Sequence, residues 1–164
     1  MIKKLLIAIF IALPMSVFAQ KFATINTQQL MESMPELKTV NEQLEAASKK
    51  YEDEFAKLQE EFQKKFDEFQ ALDANTPQTI KDRRMQEMQE LDTKVQQFRQ
   101  TAQQDLQRQQ QQLMAPIQES IMKAIQGVGA EGNYTFVFEN MVPVYVGTDV
   151  TDITDAVKSR LGVK

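Results

Sequence analysis

The chain contains no cysteine and no histidine. Without cysteine no disulfide braces the fold and no thioether lipid anchor forms at a processed N-terminus. The two absences together also remove the imidazole base, the thiolate nucleophile and the commonest zinc ligands. Glycine is scarce until late: all five lie from Gly127 onward, none in a GxGxxG or P-loop setting, so nucleotide-driven action is disfavoured. Catalysis would rest on Asp, Glu, Lys, Ser or Tyr. The carboxylates lie almost entirely in polar, helix-patterned sequence that reads as solvated surface. No catalytic, cofactor-binding or metal-binding residue is expected, no cofactor, and no enzyme.

The first nineteen residues carry the three-part layout of an export signal. Lys3 and Lys4 precede the apolar run Leu5–Leu13, and Val17-Phe18-Ala19 offers the small residues read before cleavage, here before Gln20. The run is shorter than the roughly 20 apolar residues that span a bilayer. With Lys3 and Lys4 removed from the formal net charge of -4, residues 20–164 carry -6. That balance argues against a nucleic-acid partner.

From Leu37 the apolar residues fall at 37, 40, 44, 47, 51, 55, 58, 62, 66, 69 and 72, steps of three and four that mark one stripe on a long helix. Pro35 suits its first turn, and Ser33 is the expected cap. Asp73–Pro77 reads as a turn, and a second stripe follows through Ile80, Met88, Leu91, Val95, Phe98, Ala102 and Leu106. So short a turn implies an antiparallel return. Facing positions should then sum to 149 or 150, which pairs Phe62 with Met88, Leu58 with Leu91, Phe55 with Val95 and Tyr51 with Phe98.

Pro116 predicts a bend where the arm, 35–113, gives way to a body built from 20–34 and 114–164. In the body, the apolar face of Ile117–Val128 is expected to break over Gly127–Gly132. Phe22–Asn26 reads as a strand and Tyr134–Glu139 with Val142–Val146 as a hairpin. Val150, Ile153, Val157 and Leu161 form one face of a closing helix. A body of roughly 60 residues buries little apolar surface alone and leaves strand edges open, and oligomerisation through the strands answers both problems.

The order of these pieces resembles the Skp (OmpH-like) family of periplasmic chaperones over essentially the whole processed chain. It is carried by Phe22-Ala23-Thr24-Ile25-Asn26, the Leu30–Pro35 segment, the long hairpin, Pro116–Ile125, Gly132-Asn133-Tyr134-Thr135-Phe136-Val137, Val144-Tyr145-Val146 and Asp152-Ile153-Thr154-Asp155-Ala156-Val157. The resemblance implies a mainly α fold, a long antiparallel helical hairpin inserted into a small α/β body whose strands join as a β-barrel in a homotrimer. It also implies a periplasmic holdase that keeps unfolded outer-membrane proteins between three arms without ATP. Phe22, Ile25, Tyr134, Phe136, Phe138, Val144 and Tyr145 are the expected trimer contacts.

The aromatic and methionine stripe of the arm reads first as the seam between its helices. Phe66 and Met85, one step off that seam, are the expected client contacts. Family members are strongly basic and this chain is acidic, so a lipopolysaccharide site is not carried over. Residues 63–85 nonetheless sum to +1 against -7 for the rest of the processed chain, which raises weak contact of the tips with an anionic membrane beside the plainer reading of solvated helix charge. The Gln107–Gln112 tract reads as exposed helix surface. The competing function is a periplasmic coiled-coil adaptor that docks one envelope partner through its tips.

Overall fold

A computed structural model describes residues 20–163; the segment read as an export signal lies outside the described residues. The elements in chain order are β1 (Phe22–Ile25), α1 (Thr27–Ser33), α2 (Pro35–Gln70), α3 (Gln78–Glu131), β2 (Phe136–Glu139), β3 (Thr151–Asp152) and α4 (Thr154–Leu161). The fold is mainly helical with one small sheet.

The arm forms because two helices with matching apolar stripes bury them against each other. Leu58 and Leu91 are both 5% exposed, as facing positions should be, and Ala102 is buried with them. Tyr51 meets Phe98 across the seam. At the tip, α2 ends at Gln70 and the Asp73 side chain accepts the Asn75 backbone N–H at 2.7 Å, a turn that this short polar side chain stabilises locally. Pro77 then stands immediately before the first turn of α3, where a missing N–H costs nothing.

Two local expectations, the Ser33 cap and the Val142–Val146 strand, need correction. Ser33 does not cap α2: it is the last residue of α1, and its hydroxyl donates back to the Gln29 carbonyl at 2.7 Å, while Met34 occupies the cap without a side-chain bond. The helix α1 itself was not read from sequence. Its signal is Asn26, whose side chain accepts the Gln29 N–H at 2.9 Å, with Leu30 then fully buried.

Helix α3 ends at Glu131 with Gly132 as its cap, at the far end of the expected break. It passes through Gly127, where α4 crosses: a Cβ there would stand 2.5 Å from the Arg160 guanidinium carbon, and Arg160 pairs with Glu131 at 2.6 Å. The helix is unbroken at Pro116, which faces Met34 and Val40 across a groove at the root of the arm. Finally, Val142–Val146 is not a strand and no antiparallel hairpin forms. The sheet has the order β2-β1-β3 and is parallel throughout, with Phe22 beside Phe136 and Ala23 beside both Val137 and Thr151.

The parallel pairing has a topological cause. Between β1 and β2 the chain runs out along α2 and back along α3, so the whole arm serves as the long crossover that parallel neighbours require. Pro143 lacks the N–H a ladder would need, and the stretch leaves the sheet after the Val142 N–H bonds Glu139 O at 3.0 Å.

The core sits on one face of this sheet. Ala23 and Ile25 point into it and meet Leu30, Ile117, Ile121 and Val157. Leu30 and Val157 are fully buried, each worth about 2 kcal/mol by apolar transfer. Both chain ends are tied there by polar contacts: the Asn26 N–H donates to Thr154 Oγ1 at 3.0 Å, and the Thr27 N–H to Glu139 Oε1 at 3.1 Å. Asp152 Oδ1 accepts the Thr154 N–H at 2.8 Å and starts α4, which Gly162 closes at φ 72°.

Candidate interaction surfaces

The second face of the sheet is covered differently. Strand alternation puts Phe22 with Phe136 and Phe138 on the side away from the core. Their rings gather into a triangle with centroids 6.2, 6.3 and 5.9 Å apart, and Phe136 is 54% exposed. Phe22, Phe138, Val142, Pro143, Tyr145 and Val150 line an apolar groove of ≈ 340 Å³. Val144 and Tyr145 project from it almost fully exposed. Parallel sheets ordinarily have both faces covered. Here helices cover one, and the other is aromatic.

Of the residues expected at a trimer contact, the fold gathers Phe22, Phe136, Phe138, Val144 and Tyr145 on or beside this face. Ile25 lies elsewhere: at 3% exposure it belongs to the protomer's own core. Tyr134 packs at the core margin with the Lys21 ammonium 4.3 Å from its ring centre, and Lys21 also donates to Gly132 O at 3.0 Å. Alternation along β1 separates Ile25 from Phe22, a distinction that strand composition alone does not make.

On the arm, Phe66 and Met85 are 37% and 45% exposed near the tip, whereas Phe62 is half-buried in the seam. Beside them, charge staples the helices. Glu87 of α3 accepts from Lys65 of α2 at 3.4 Å and from Arg84 and Arg83 at 3.2 Å each; Arg84 also reaches Glu68 at 3.7 Å. Desolvation opposes ionisation of Glu87, but the bonds from Lys65 and Arg84 outweigh it and hold the carboxyl below the usual glutamate range. Five charged side chains near the tip thus satisfy one another, which fits solvated, mutually paired charge.

Nearer the body the connection is polar and aromatic. The Tyr51 hydroxyl donates to Asp105, which also accepts from Arg108 and, at 2.7 Å, from Gln109. The Arg99 guanidinium lies over Phe55, 5.1 Å from its centroid. Among the described residues no helix is long and apolar enough to cross a membrane, and no group of three or more acidic side chains is placed to hold a metal ion. The arrangement offers exposed apolar surfaces on the body and along the arm.

Comparison with known proteins agrees with this architecture. The sequence model of a family described as outer membrane protein (OmpH-like) matches residues 21–161. Among solved structures, the chain is similar to a candidate outer membrane chaperone (OmpH-like) from Caulobacter crescentus CB15. The TM-score is 0.73 at 15% identity over 87% of this chain and 83% of that one. A comparison with curated proteins finds no match.

Proposed function

Because the chain belongs to the OmpH-like family, we infer that it is a periplasmic holdase: three copies join through the bare face of the sheet and keep unfolded outer-membrane proteins between their arms without ATP. The observation that carries the assembly is the aromatic triangle of Phe22, Phe136 and Phe138 on a parallel sheet that helices cover on one side only. Burying the side chains of Phe136, Phe138 and Tyr145 against a second copy stabilises the assembly by about 2 kcal/mol each. An open strand edge at β2 adds backbone donors and acceptors that need a partner.

The arm supports the holding role. Two paired helices reach out from the body, with Phe66 and Met85 presenting apolar surface near the tip. Many weak contacts on movable rods suit clients of varied sequence better than one rigid pocket does. The apolar leader at Leu5–Leu13 supports work outside the cytoplasm, where ATP is absent.

The test is aggregation of a urea-denatured outer-membrane β-barrel diluted into buffer and followed by light scattering. The holdase reading expects suppression that saturates near one trimer per client. Undiminished scattering, together with stoichiometric capture of a single folded envelope protein through the tips, would support an adaptor instead.

A further inference from the structure

One exposed flank of α3 carries a run of glutamine. Gln96, Gln100, Gln103, Gln107 and Gln110 recur at steps of four and three, all exposed, to one side of the seam. The back of α2, by contrast, alternates charge through Glu42, Lys49, Asp53, Lys57 and Glu60. Gln96 is tied to Asp92 at 2.8 Å, but among the described residues Gln100, Gln103, Gln107 and Gln110 keep their amides free of protein partners.

Three of these glutamines border a groove. Leu44 and Ser48 of α2 with Gln103, Leu106, Gln107 and Gln110 of α3 enclose ≈ 560 Å³ and bring no charged side chain to its walls. Through Ser48, Gln103 and Leu106 it adjoins a second hollow of ≈ 390 Å³ with Glu52 and Arg99 in its wall, so the uncharged stretch is the first hollow alone. From Gln103 to Gln110 the helix rises roughly 10 Å, the length of about three residues of extended chain. The opposite side of the same hairpin also has a hollow, but Lys50 and Glu54 stand in its wall.

The geometry points to this neutral groove as a seat for an extended segment of unfolded polypeptide, the leucines taking its side chains and the glutamine amides pairing with its peptide groups. The assignment rests on the holdase reading and makes it specific. A carboxamide carries the same donor and acceptor as a peptide bond, so it satisfies any main chain irrespective of sequence. An unfolded client brings unpaired N–H and C=O groups that are costly to leave unsatisfied away from water. Uncharged walls spare a chain whose residues 20–164 carry -6 from repelling acidic clients there, and the grip should be indifferent to salt.

The experiment titrates a fluorescein-labelled, urea-denatured outer-membrane β-barrel with the full assembled protein, with circular dichroism and sedimentation confirming that each variant retains its fold and assembly. The variant Gln103→Ala/Gln107→Ala/Gln110→Ala should bind about tenfold more weakly, since three amide bonds are lost. The control Gln96→Ala/Gln100→Ala/Gln104→Ala, outside the groove walls, should stay within about twofold, and wild-type affinity should hold as NaCl rises from about 0.1 to 1 M. A photo-crosslinker at position 107 should capture client and one at position 53 should not. If wild type binds but the groove variant matches the control, and position 107 crosslinks no better than 53, the groove assignment fails alone. If wild type does not bind, the holdase reading fails and takes the groove with it.

Discussion

Tyr51 of α2 and Phe98 of α3 meet across the arm with ring centroids 6.0 Å apart and planes inclined by 58°. The pair fixes the register of the two helices, because a slip by one turn would carry Tyr51 away from both Phe98 and its acceptor Asp105. A tilted pair at this separation lies in the favourable range for aromatic rings. The arm is therefore one specified arrangement of two helices.

That specification predicts the cost of thinning the seam. Leu91→Ala removes a buried side chain opposite α2 and should destabilise the arm by about 2–4 kcal/mol, measured as a lowered urea midpoint in far-ultraviolet circular dichroism. Phe98→Ala should cost less, about 2 kcal/mol, since Phe98 is half-buried. Equal stability of the Leu91 variant and wild type would mean the helices do not depend on this seam.

The pairing of the arm was legible in the sequence because two stripes of similar period, joined by a short turn, have one antiparallel solution. The sheet was not. Val142–Val146 alternates as a strand should, yet strand pairing is a long-range choice, and β1 takes as neighbours β2, reached across the whole arm, and the two-residue β3. Gly127 shows a related limit: a glycine reads as a break from sequence, but here it admits Arg160, and that requirement exists only once α4 is in place. The face assignment of Ile25 against Phe22 likewise depended on which side the helices cover.

Gly127→Ala tests that reading of the glycine. The group it would meet is the mobile end of Arg160, so the side chain should swing aside and release Glu131. The helix gains roughly 0.5–1 kcal/mol from alanine and loses an exposed pair worth under about 1 kcal/mol. Thermal unfolding should shift by only a few degrees in either direction. Collapse of the fold would show instead that the glycine ends a helix.

Acid should loosen the distal arm. The Glu87 carboxyl titrates below its unfolded value, so its pairing with Lys65 and Arg84 is fully present above the usual glutamate range and is lost as pH falls through the depressed folded value. Amide hydrogen exchange around residues 64–68 and 84–88 should quicken on acidification through that window, and Glu87→Gln should remove most of the pH dependence. A variant that keeps the wild-type pH response would exclude Glu87 as its source.

The body offers a sharper contrast between fold and assembly. Phe136 and Tyr145 are exposed in the protomer, so Phe136→Asp or Tyr145→Asp should leave its helix content and core intact while abolishing association. Leu30→Ala, by comparison, should destabilise the protomer itself by about 3 kcal/mol. The two classes separate in circular dichroism against sedimentation: lost mass with retained helix for the first, a lowered unfolding midpoint for the second.

The most direct measurement is analytical ultracentrifugation of the processed protein alone and mixed with a urea-denatured outer-membrane β-barrel. The account predicts a free species of three protomers that takes up one client and keeps it soluble. A stable monomer, or a trimer that sediments apart from aggregated client, would contradict it.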